Sequence, residues 1–419
     1  MRNKSKFLIL SAVLVFSLTT AVCQSVSESS QVPAVSVKDA KQIRDSETHY
    51  VADAMMPYIQ SGECPGAISI LYRDGVQETA LLGYADMEKQ IPIRRDQLFM
   101  QCSQTKGFCG VTIAILIEEG KLNLDDPVSK YLPEFKDLKI AVKGENEQKV
   151  LVPAKNTLTV RMVMNHTGGL PFEIPTKIKK GWPAVSVRDA AREAASQPLL
   201  FEPGTKVKYS NTGIDIGAAV VEVVTGQKWE DFLSERVLKP LGMSSSTFNP
   251  TDEQLKDIIQ LYRPVTGKKA DFRKSTNSMP LPHNGPNVHP SAGAGLWTTA
   301  EDQYKFYKML MNLGIGDNGV RILKEETVRS LLAVSSRPAN LGKYSLGLAV
   351  RGSIMGHGGA FGTSADVDWK KRHLSIWIVQ QVGNRNLRPW NAALKKARAK
   401  FFSSENAGSA AEAYTGRLK

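Results

Sequence analysis

Apolar and polar residues alternate along two pairs of neighbouring segments, one pair near each end of the chain. "GAISILYRDGVQETALLGYAD", residues 66–86, predicts a β-hairpin whose turn is Arg73-Asp74-Gly75. "SADVDWKKRHLSIWIVQQVG", residues 364–383, repeats the pattern, with strands on either side of a basic turn. Two such pairs predict one antiparallel sheet that is built from the N- and C-terminal parts of the chain.

Three further segments have helical patterns. Residues 36–62 predict a first helix, and residues 388–402, "RPWNAALKKARAKFF", predict a closing amphipathic helix. Residues 104–119, "QTKGFCGVTIAILIEE", are apolar nearly all round and end at Gly120, which is the profile of a buried helix with a glycine cap. The predicted fold class is therefore α+β, an antiparallel sheet flanked by helices with an inserted, mostly helical lobe.

The N-terminus has the pattern of an export signal. A basic tip is followed by an apolar run, residues 7–22, that is short for a membrane span, so we expect an exported, periplasmic or secreted protein. A membrane-anchored form, or a lipoprotein modified at Cys23, is the less favoured alternative. The predicted boundaries are a signal over 1–23, a linker and the start of the first helix over 24–44, a domain over 45–402, and a flexible tail over 403–419. Within the domain we expect an α/β part over 45–130 plus 295–402 and a helical lobe over 131–294.

Composition and charge narrow the class of protein. The 419 residues are 42% hydrophobic and 23% charged, which are the proportions of a globular protein and exclude a disordered one. The formal charge is +13, and it falls to +10 without the three basic residues of the signal. The basic clusters are dispersed and no nucleic-acid motif accompanies them, so we expect solvated faces and no nucleic acid. Attraction to an anionic cell envelope is the alternative.

The cysteines and the common cofactor motifs exclude several kinds of site. Cys64, Cys102 and Cys109 are odd in number and have no C-x-x-C spacing, so we expect packed free thiols. The sequence contains no H-E-x-x-H, Walker loop or G-x-G-x-x-G. Nothing therefore calls for a metal, a nucleotide or a flavin, and we expect no cofactor.

Ser103 and Lys106 lie at the start of the apolar helix. Residues three apart share one face of a helix, so the Lys106 amine can reach the Ser103 hydroxyl. Burial and the positive end of the helix dipole both disfavour a charged ammonium, which lets the lysine act as a base. This spacing predicts a serine nucleophile that is activated without histidine. The alternative is a capping serine beside a lysine whose amine extends to solvent.

Two more polar groups lie in apolar surroundings. Tyr209 and Asn211 stand between a Pro-Gly turn and an apolar helix, where a phenol can relay a proton and a carboxamide can hold a substrate amide. His357, Gly358 and Gly359 would lie on an edge strand that a substrate backbone can approach. The alternative is that Tyr209 and Asn211 only cap a helix.

Ser103-x-x-Lys106, Tyr209-x-Asn211 and His357-x-Gly359, in this order, resemble the motifs of the serine β-lactamase and penicillin-binding hydrolase superfamily, class C-like branch. The resemblance covers about residues 45–402 and extends to class VIII-type esterases and D-amino-acid peptidases. It implies a β-lactamase/transpeptidase-like fold in which the serine is acylated, the lysine and tyrosine move protons, and the asparagine contacts the substrate. It also implies an oxyanion hole formed by the backbone N–H groups of Ser103 and Ala360.

Other polar residues have structural interpretations. His166 belongs to a second H-x-G, "NHTGGLP", which suits a turn that closes a helix. Asp125 and Asp126, which could serve as an acid and a base, match a structural turn of the family instead. Gly107 and Gly110 are unusual beside the nucleophile, because each lowers helix propensity by about 1 kcal/mol unless close packing requires it.

We therefore expect an exported serine hydrolase that acts on a small-molecule or peptide acyl substrate. An esterase on uncharged acyl compounds, a D-alanyl-type or peptidoglycan-type peptidase and a β-lactamase all remain open. A weakly catalytic penicillin-binding sensor or scaffold is the alternative from another class. Many family members have Lys or Trp at the position of His357, and a histidine is mostly neutral above pH 7. Substrates that carry a carboxylate should therefore bind weakly at pH 8.

Overall fold

The computed structural model describes residues 44–45, 49–144, 147–175, 185–264, 272–274, 289–333, 343–383, 388–404 and 414–416. The predicted signal over 1–23 lies outside the described residues, as do nearly all of the predicted linker and most of the predicted tail. None of the described helices is long and apolar enough to cross a membrane.

The described strands are β1 Arg44–Asp45, β2 Gly66–Arg73, β3 Val76–Asp86, β4 Ile91–Pro92, β5 Phe99–Met100, β6 Lys139–Lys143, β7 Lys149–Pro153, β8 Tyr262–Pro264, β9 Phe272–Lys274, β10 Trp297–Thr298, β11 Ala349–Arg351, β12 Ile354–Gly358, β13 Ser364–Asp368, β14 His373–Ile378 and β15 Tyr414–Gly416. The described α-helices are α1 Tyr50–Gln60, α2 Thr105–Glu118, α3 Val160–Met164, α4 Val187–Ser196, α5 Asn211–Thr225, α6 Trp229–Leu233, α7 Asp252–Lys256, α8 Ala300–Met311, α9 Glu325–Thr327 and α10 Asn391–Ser403.

The main sheet joins the two ends of the chain. Its order is β1-β3-β2-β14-β13-β12-β11, and β4 and β15 also pair with β3. The antiparallel pairs β2–β3 and β13–β14 confirm both predicted hairpins, and β14 runs antiparallel to β2 in the centre of the sheet. Only the short strands β1 and β15 run parallel to their neighbour among the described strands of this sheet. The predicted α+β fold is therefore confirmed.

Helices cover both faces of the sheet. Alternate residues of β2 point to opposite faces, so Ile68 and Ile70 lie in the large core, whereas Ala67 and Leu71 lie in a second core. The large core contains the apolar side chains of α2, α5 and α8. The second core is closed by α1 and α10. Burial on both faces explains why the sequence of β2 is almost continuously apolar.

Close packing explains both glycines of α2. A Cβ atom at Gly110 would lie 1.9 Å from the carbonyl oxygen of Leu346, and one at Gly107 would lie 2.7 Å from Cδ2 of Leu348. The chain at residues 346–348 therefore lies directly on the helix. Any larger residue at Gly107 or Gly110 would push this segment away from α2.

The first helix is shorter than the sequence pattern predicts. It begins at Tyr50, whereas Arg44–Asp45, inside the predicted helix, pairs with β3 as strand β1. The prediction was wrong there because the open edge of β3 offers backbone hydrogen bonds to an extended segment. At the other end of the chain, α10 ends at Ser403, and Tyr414–Gly416 of the predicted tail also pairs with β3.

The segment between the two halves of the sheet contains mostly helices. Within residues 131–294 the described elements are α3 to α7 and two small two-stranded sheets, β6–β7 and β8–β9. The three cysteines Cys64, Cys102 and Cys109 are buried free thiols, as predicted.

Candidate active site

Ser103 lies in a sharp turn between a strand and a helix. The chain leaves β5, and Cys102 takes the left-handed backbone conformation with φ of +54°, which is uncommon for a residue with a side chain. Residues Cys102–Gln104 then form one 3₁₀ turn that leads into α2, and the Thr105 hydroxyl donates to the Cys102 carbonyl at 2.7 Å. Ser103 is partly exposed, so a substrate could reach its hydroxyl.

Lys106 is fully buried and reaches Ser103 as predicted. Its Nζ lies 3.3 Å from the Ser103 Oγ. The same nitrogen lies 2.5 Å from the Asn211 Oδ1 and 2.5 Å from the carbonyl oxygen of Gly293. Three acceptors from three separate parts of the chain thus fix the amine beside the serine hydroxyl, and the lysine does not extend to solvent.

Asn211 is the first residue of α5 and lies between Lys106 and Glu173. Ser210 caps the helix, because its Oγ accepts from the Gly213 N–H at 2.9 Å. The Asn211 Nδ2 donates to the Glu173 Oε1 at 2.6 Å, while its Oδ1 accepts from Lys106. The amide nitrogen thus faces Glu173 and the amide oxygen faces the lysine amine.

Tyr209 lies beside both Lys106 and His357. The Lys106 Nζ is 4.6 Å from the centre of the Tyr209 ring, and the Tyr209 Oη is 3.3 Å from the His357 Nε2. The His357 Nδ1 is 2.6 Å from the carbonyl oxygen of Gly358. His357 is only 7% exposed, and its ring centre also lies 5.7 Å from that of Tyr344. The structure thus brings all three predicted motifs together.

The end of β12 that carries His357 lies at the edge of the described sheet. β11 is the outermost strand of the sheet, but it pairs only with residues 354–356 of β12. Among the described residues, His357 and Gly358 therefore lie at an edge, as predicted. Gly359 is required by a close approach, since a Cβ atom there would lie 2.4 Å from the carbonyl oxygen of Gln101. Ala360 follows and is exposed.

His166 lies directly behind the site, in the turn that follows α3, as its interpretation as a turn that closes a helix predicts. Its ring centre is 4.4 Å from that of Tyr209 and 4.8 Å from that of Tyr344. The Ser210 N–H lies 3.3 Å from the His166 Nδ1, and the Lys208 N–H donates to the His166 carbonyl at 3.0 Å. His166 therefore supports the segment that carries Tyr209.

Several contacts of the site were not found from the sequence. Glu173 and Gly293 contact Asn211 and Lys106, yet no spacing in the sequence joins them to the three motifs. The available sequence signals are "NHTGGLP", which ends two residues before Glu173, and "GAGLWTTA", which begins at Gly293 and is also similar to the family. The two aspartates set aside as structural lie elsewhere, with Asp125 bonded to Arg161 and Asp126 to Tyr131.

Known proteins share this fold and part of this sequence. The model of the Beta-lactamase family matches residues 47–398. The protein Rv1367c of Mycobacterium tuberculosis (strain ATCC 25618 / H37Rv) is 29% identical over 276 residues, which are 64% of this chain and 67% of that protein. The solved structure of EstCE1, described as a hydrolase with promiscuous acyltransferase activity, aligns with a TM-score of 0.68 and 22% identity over 83% of this chain and 97% of that chain. Unliganded LovD of Aspergillus terreus, a simvastatin synthase, aligns with a TM-score of 0.70 and 18% identity over 84% of this chain and 97% of that one.

The chain belongs to the Beta-lactamase family, whose model spans most of the described domain. The family contains serine hydrolases and acyltransferases, and a serine beside a buried lysine is consistent with either chemistry. The resemblance inferred from the three motifs is thereby confirmed.

Proposed function

We propose that this protein is a serine hydrolase that cleaves an ester or amide bond through an acyl-enzyme on Ser103. The observation that carries the proposal is the contact of 3.3 Å between the Lys106 Nζ and the Ser103 Oγ, in a buried position where the Asn211 Oδ1 and the Gly293 carbonyl oxygen also contact the amine. In its neutral form Lys106 takes the hydroxyl proton as Ser103 attacks the carbonyl carbon. The N–H groups of Ser103 and Ala360 stabilise the resulting oxyanion.

Tyr209 is proposed to carry the proton to the leaving group. Its ring lies beside Lys106 and its hydroxyl beside His357, so it connects the base to the open edge of β12. Collapse of the tetrahedral intermediate breaks the bond to the leaving group, which takes up a proton as it departs. Water then attacks the acyl-enzyme, and the same groups move the protons in the reverse direction.

The proposed substrate is an uncharged acyl ester bound along β12, between Asn211 and Gly358. His357 supports this choice, because its imidazole is turned to Tyr209 and carries no permanent charge for a substrate carboxylate. A D-alanyl-type peptidase and a β-lactamase are the alternatives within the same mechanism. A penicillin-binding sensor with poor turnover is the alternative of another class.

Hydrolysis of p-nitrophenyl acetate and butyrate by purified protein tests this function. We expect steady turnover, with or without a preceding burst of one p-nitrophenol per protein, and we expect Ser103→Ala to lose at least about 10³-fold in kcat/KM. Ser61→Ala, at an exposed serine after α1, is the matched control and should keep wild-type kinetics. Equal rates for Ser103→Ala and wild type would refute the nucleophile. A stoichiometric burst with no turnover on any ester, amide or β-lactam would favour the sensor.

We also propose that residues 1–23 direct export and are then removed. The support is the basic tip followed by an apolar run that is short for a span. The net charge of +10 that remains would favour an anionic envelope surface. The intact mass of protein recovered from the extracytoplasmic fraction should begin after residue 23. Full-length protein in the cytoplasm would contradict export.

A further inference from the structure

A buried polar cluster lies directly behind the catalytic lysine. Asp215 is on α5, one turn after Asn211, and is 2% exposed. Its Oδ1 accepts from the Ser291 hydroxyl at 3.1 Å and from the Gly293 N–H at 3.0 Å, and its Oδ2 lies 3.3 Å from the His289 Nε2. A carboxylate buried this deeply is costly unless several donors face it. The presence of a carboxylate at this buried position therefore suggests a role other than packing.

The segment 289–293 contacts both Asp215 and Lys106. Residues 289–293 lie across the start of α5, and the Gly293 carbonyl accepts from the Lys106 Nζ at 2.5 Å. A Cβ atom at Gly293 would lie 2.8 Å from the Asn211 Cβ, so the segment also packs directly on Asn211. Two of the three acceptors around the lysine amine therefore belong to one unit, which Asp215 ties together.

We propose that Asp215 is a positioning residue for Lys106. Through Ser291 and Gly293 it fixes the carbonyl that aims the lysine amine at Ser103, and its negative charge favours the protonated form of that amine. This inference rests on the proposed role of Lys106 as the base. Asp215 touches neither substrate nor nucleophile and acts only through the lysine.

Several titratable groups surround Asp215 among the described residues. His289 faces it from the segment 289–293, and Cys109 interacts with it from α2. Burial, and then the charge of Asp215, raises the pKa of the Cys109 thiol, whereas Lys106 lowers it. Asp215 and Lys106 thus act on the same buried position of α2. Glu173 and Glu222 are further acidic groups, the first bonded to Asn211 and the second interacting with His289.

The test is the pH profile of kcat/KM for a neutral p-nitrophenyl ester with Asp215→Asn. This variant keeps the shape and an acceptor but removes the charge. We expect kcat/KM at its optimum to fall about tenfold or more, because the amine loses its fixed position. We also expect the acidic limb to move to lower pH by at least about half a unit, because an amine without a nearby negative charge loses its proton more easily.

Asp302→Asn is the matched control. Asp302 is 2% exposed and accepts from the Ser245 N–H at 2.9 Å and the Ser246 hydroxyl at 3.0 Å, the same donor types that face Asp215. It also accepts from the Lys305 Nζ at 3.1 Å, and its described hydrogen bonds do not connect it to Lys106. We expect it to lower the melting temperature without moving the acidic limb. A limb that stays in place in Asp215→Asn, with no more loss of rate than in Asp302→Asn, would overturn the proposal.

Two further variants keep the test decisive. If Asp215→Asn does not fold, Ser291→Ala removes one donor and leaves the charge, and we expect kcat/KM to fall by about two- to tenfold with the acidic limb unmoved. Unchanged kcat/KM in Ser291→Ala would overturn the positioning role. Failure of the proposed function itself looks different, because Lys106→Ala would then still be acylated at the wild-type rate.

Discussion

The phenol oxygen of Tyr209 lies 3.3 Å from Nε2 of His357, and Nδ1 of the same ring lies 2.6 Å from the Gly358 carbonyl oxygen. A carbonyl only accepts, so a neutral His357 carries its hydrogen on Nδ1 and accepts the Tyr209 proton at Nε2. Protonation of the ring turns that acceptor into a second donor. His357, the partner of Tyr209 in the proposed proton relay, therefore changes from an acceptor to a donor at Nε2 when its ring is protonated. Imidazoles ordinarily titrate near pH 6.5.

Protonation of His357 should change the binding of a charged substrate but not that of a neutral one. We expect the KM for a penicillin, which carries a carboxylate, to fall as the pH is lowered from 8.5 to 5.5, because the imidazolium supplies the missing positive charge. The KM for a neutral p-nitrophenyl ester should not follow that trend. Both values are measured against pH in wild type.

His357→Lys is the control for this trend, because a lysine keeps its charge across the whole range. In that variant we expect a low penicillin KM that does not vary with pH. Efficient penicillin turnover by the wild type, with a KM that does not vary from pH 5.5 to 8.5, would contradict this role of His357. It would also favour a β-lactamase or a carboxypeptidase over an esterase.

Lys106→Ala should lose acylation itself. Removal of a general base costs about 10²- to 10⁴-fold, so the rate of the burst should fall by two orders of magnitude or more. Lys308→Met is the matched control, since Lys308 is also a buried lysine, 3% exposed, with its Nζ over the Tyr72 ring. Burial lowers the pKa of Lys308 to about 8. Its contacts with Tyr304, Asp317 and Tyr72 lie outside the candidate site, so its replacement should not cost activity. A Lys106→Ala protein that acylates at the wild-type rate and fails only in deacylation would show that the base is another group.

Gly359→Ala should disturb the turn that carries the nucleophile. The new Cβ atom would lie 2.1 Å from the Thr363 Oγ1 and 2.4 Å from the Gln101 carbonyl oxygen, two residues before Ser103. We expect a loss of about 1–3 kcal/mol in the free energy of unfolding and about 100-fold in kcat. Ester kinetics and thermal unfolding measure the two effects. A variant with the wild-type kcat and melting temperature would mean that β12 does not approach the turn.

Glu78, which lies outside the candidate active site, makes the free energy of unfolding depend on pH. It is 2% exposed and accepts from the Val51 N–H at 2.7 Å, and burial raises its pKa from 4.5 to about 7. Between these values the native protein holds a proton that the unfolded chain has released, so the free energy of unfolding falls as the pH rises. The effect is at most about 3 kcal/mol, from about 1.4 kcal/mol for each pKa unit.

Glu78→Gln should remove this dependence. Chemical denaturation at pH 5 and pH 8 gives the free energy of unfolding of both proteins, and only the wild type should lose the extra stability on going to pH 8. All other titrating groups contribute equally to the two proteins. Parallel changes in wild type and variant would mean that Glu78 is already ionised at pH 5.

The features that the sequence predicted are the local ones. The two hairpins follow from the alternation of residues 66–86 and 364–383, and the contact of Ser103 with Lys106 follows from helical spacing. Tyr209, Asn211 and His357 were assigned because their motifs match a family. Only the folded chain places Asn211 and Tyr209 beside the Lys106 amine and His357 beside Tyr209.

The features that the sequence did not predict depend on distant parts of the chain. The Gly293 carbonyl lies 187 residues from Lys106, and a backbone carbonyl has no side-chain signature that could mark it. The predicted start of the first helix was wrong for the same reason, because Arg44–Asp45 pairs with β3, a strand that lies further along the chain. Such contacts are decided by tertiary packing, which a single sequence does not display.

The central claim is that Ser103 becomes acylated, and mapping of a covalent adduct tests it most directly. Purified protein is treated with a fluorophosphonate and, separately, with a labelled penicillin, and the digested protein is analysed by mass spectrometry. We predict that the fluorophosphonate adduct lies on the peptide that contains Ser103, and that it is absent from Ser103→Ala and from protein unfolded before labelling. An adduct on any other residue, or labelling that persists in Ser103→Ala, would contradict the account.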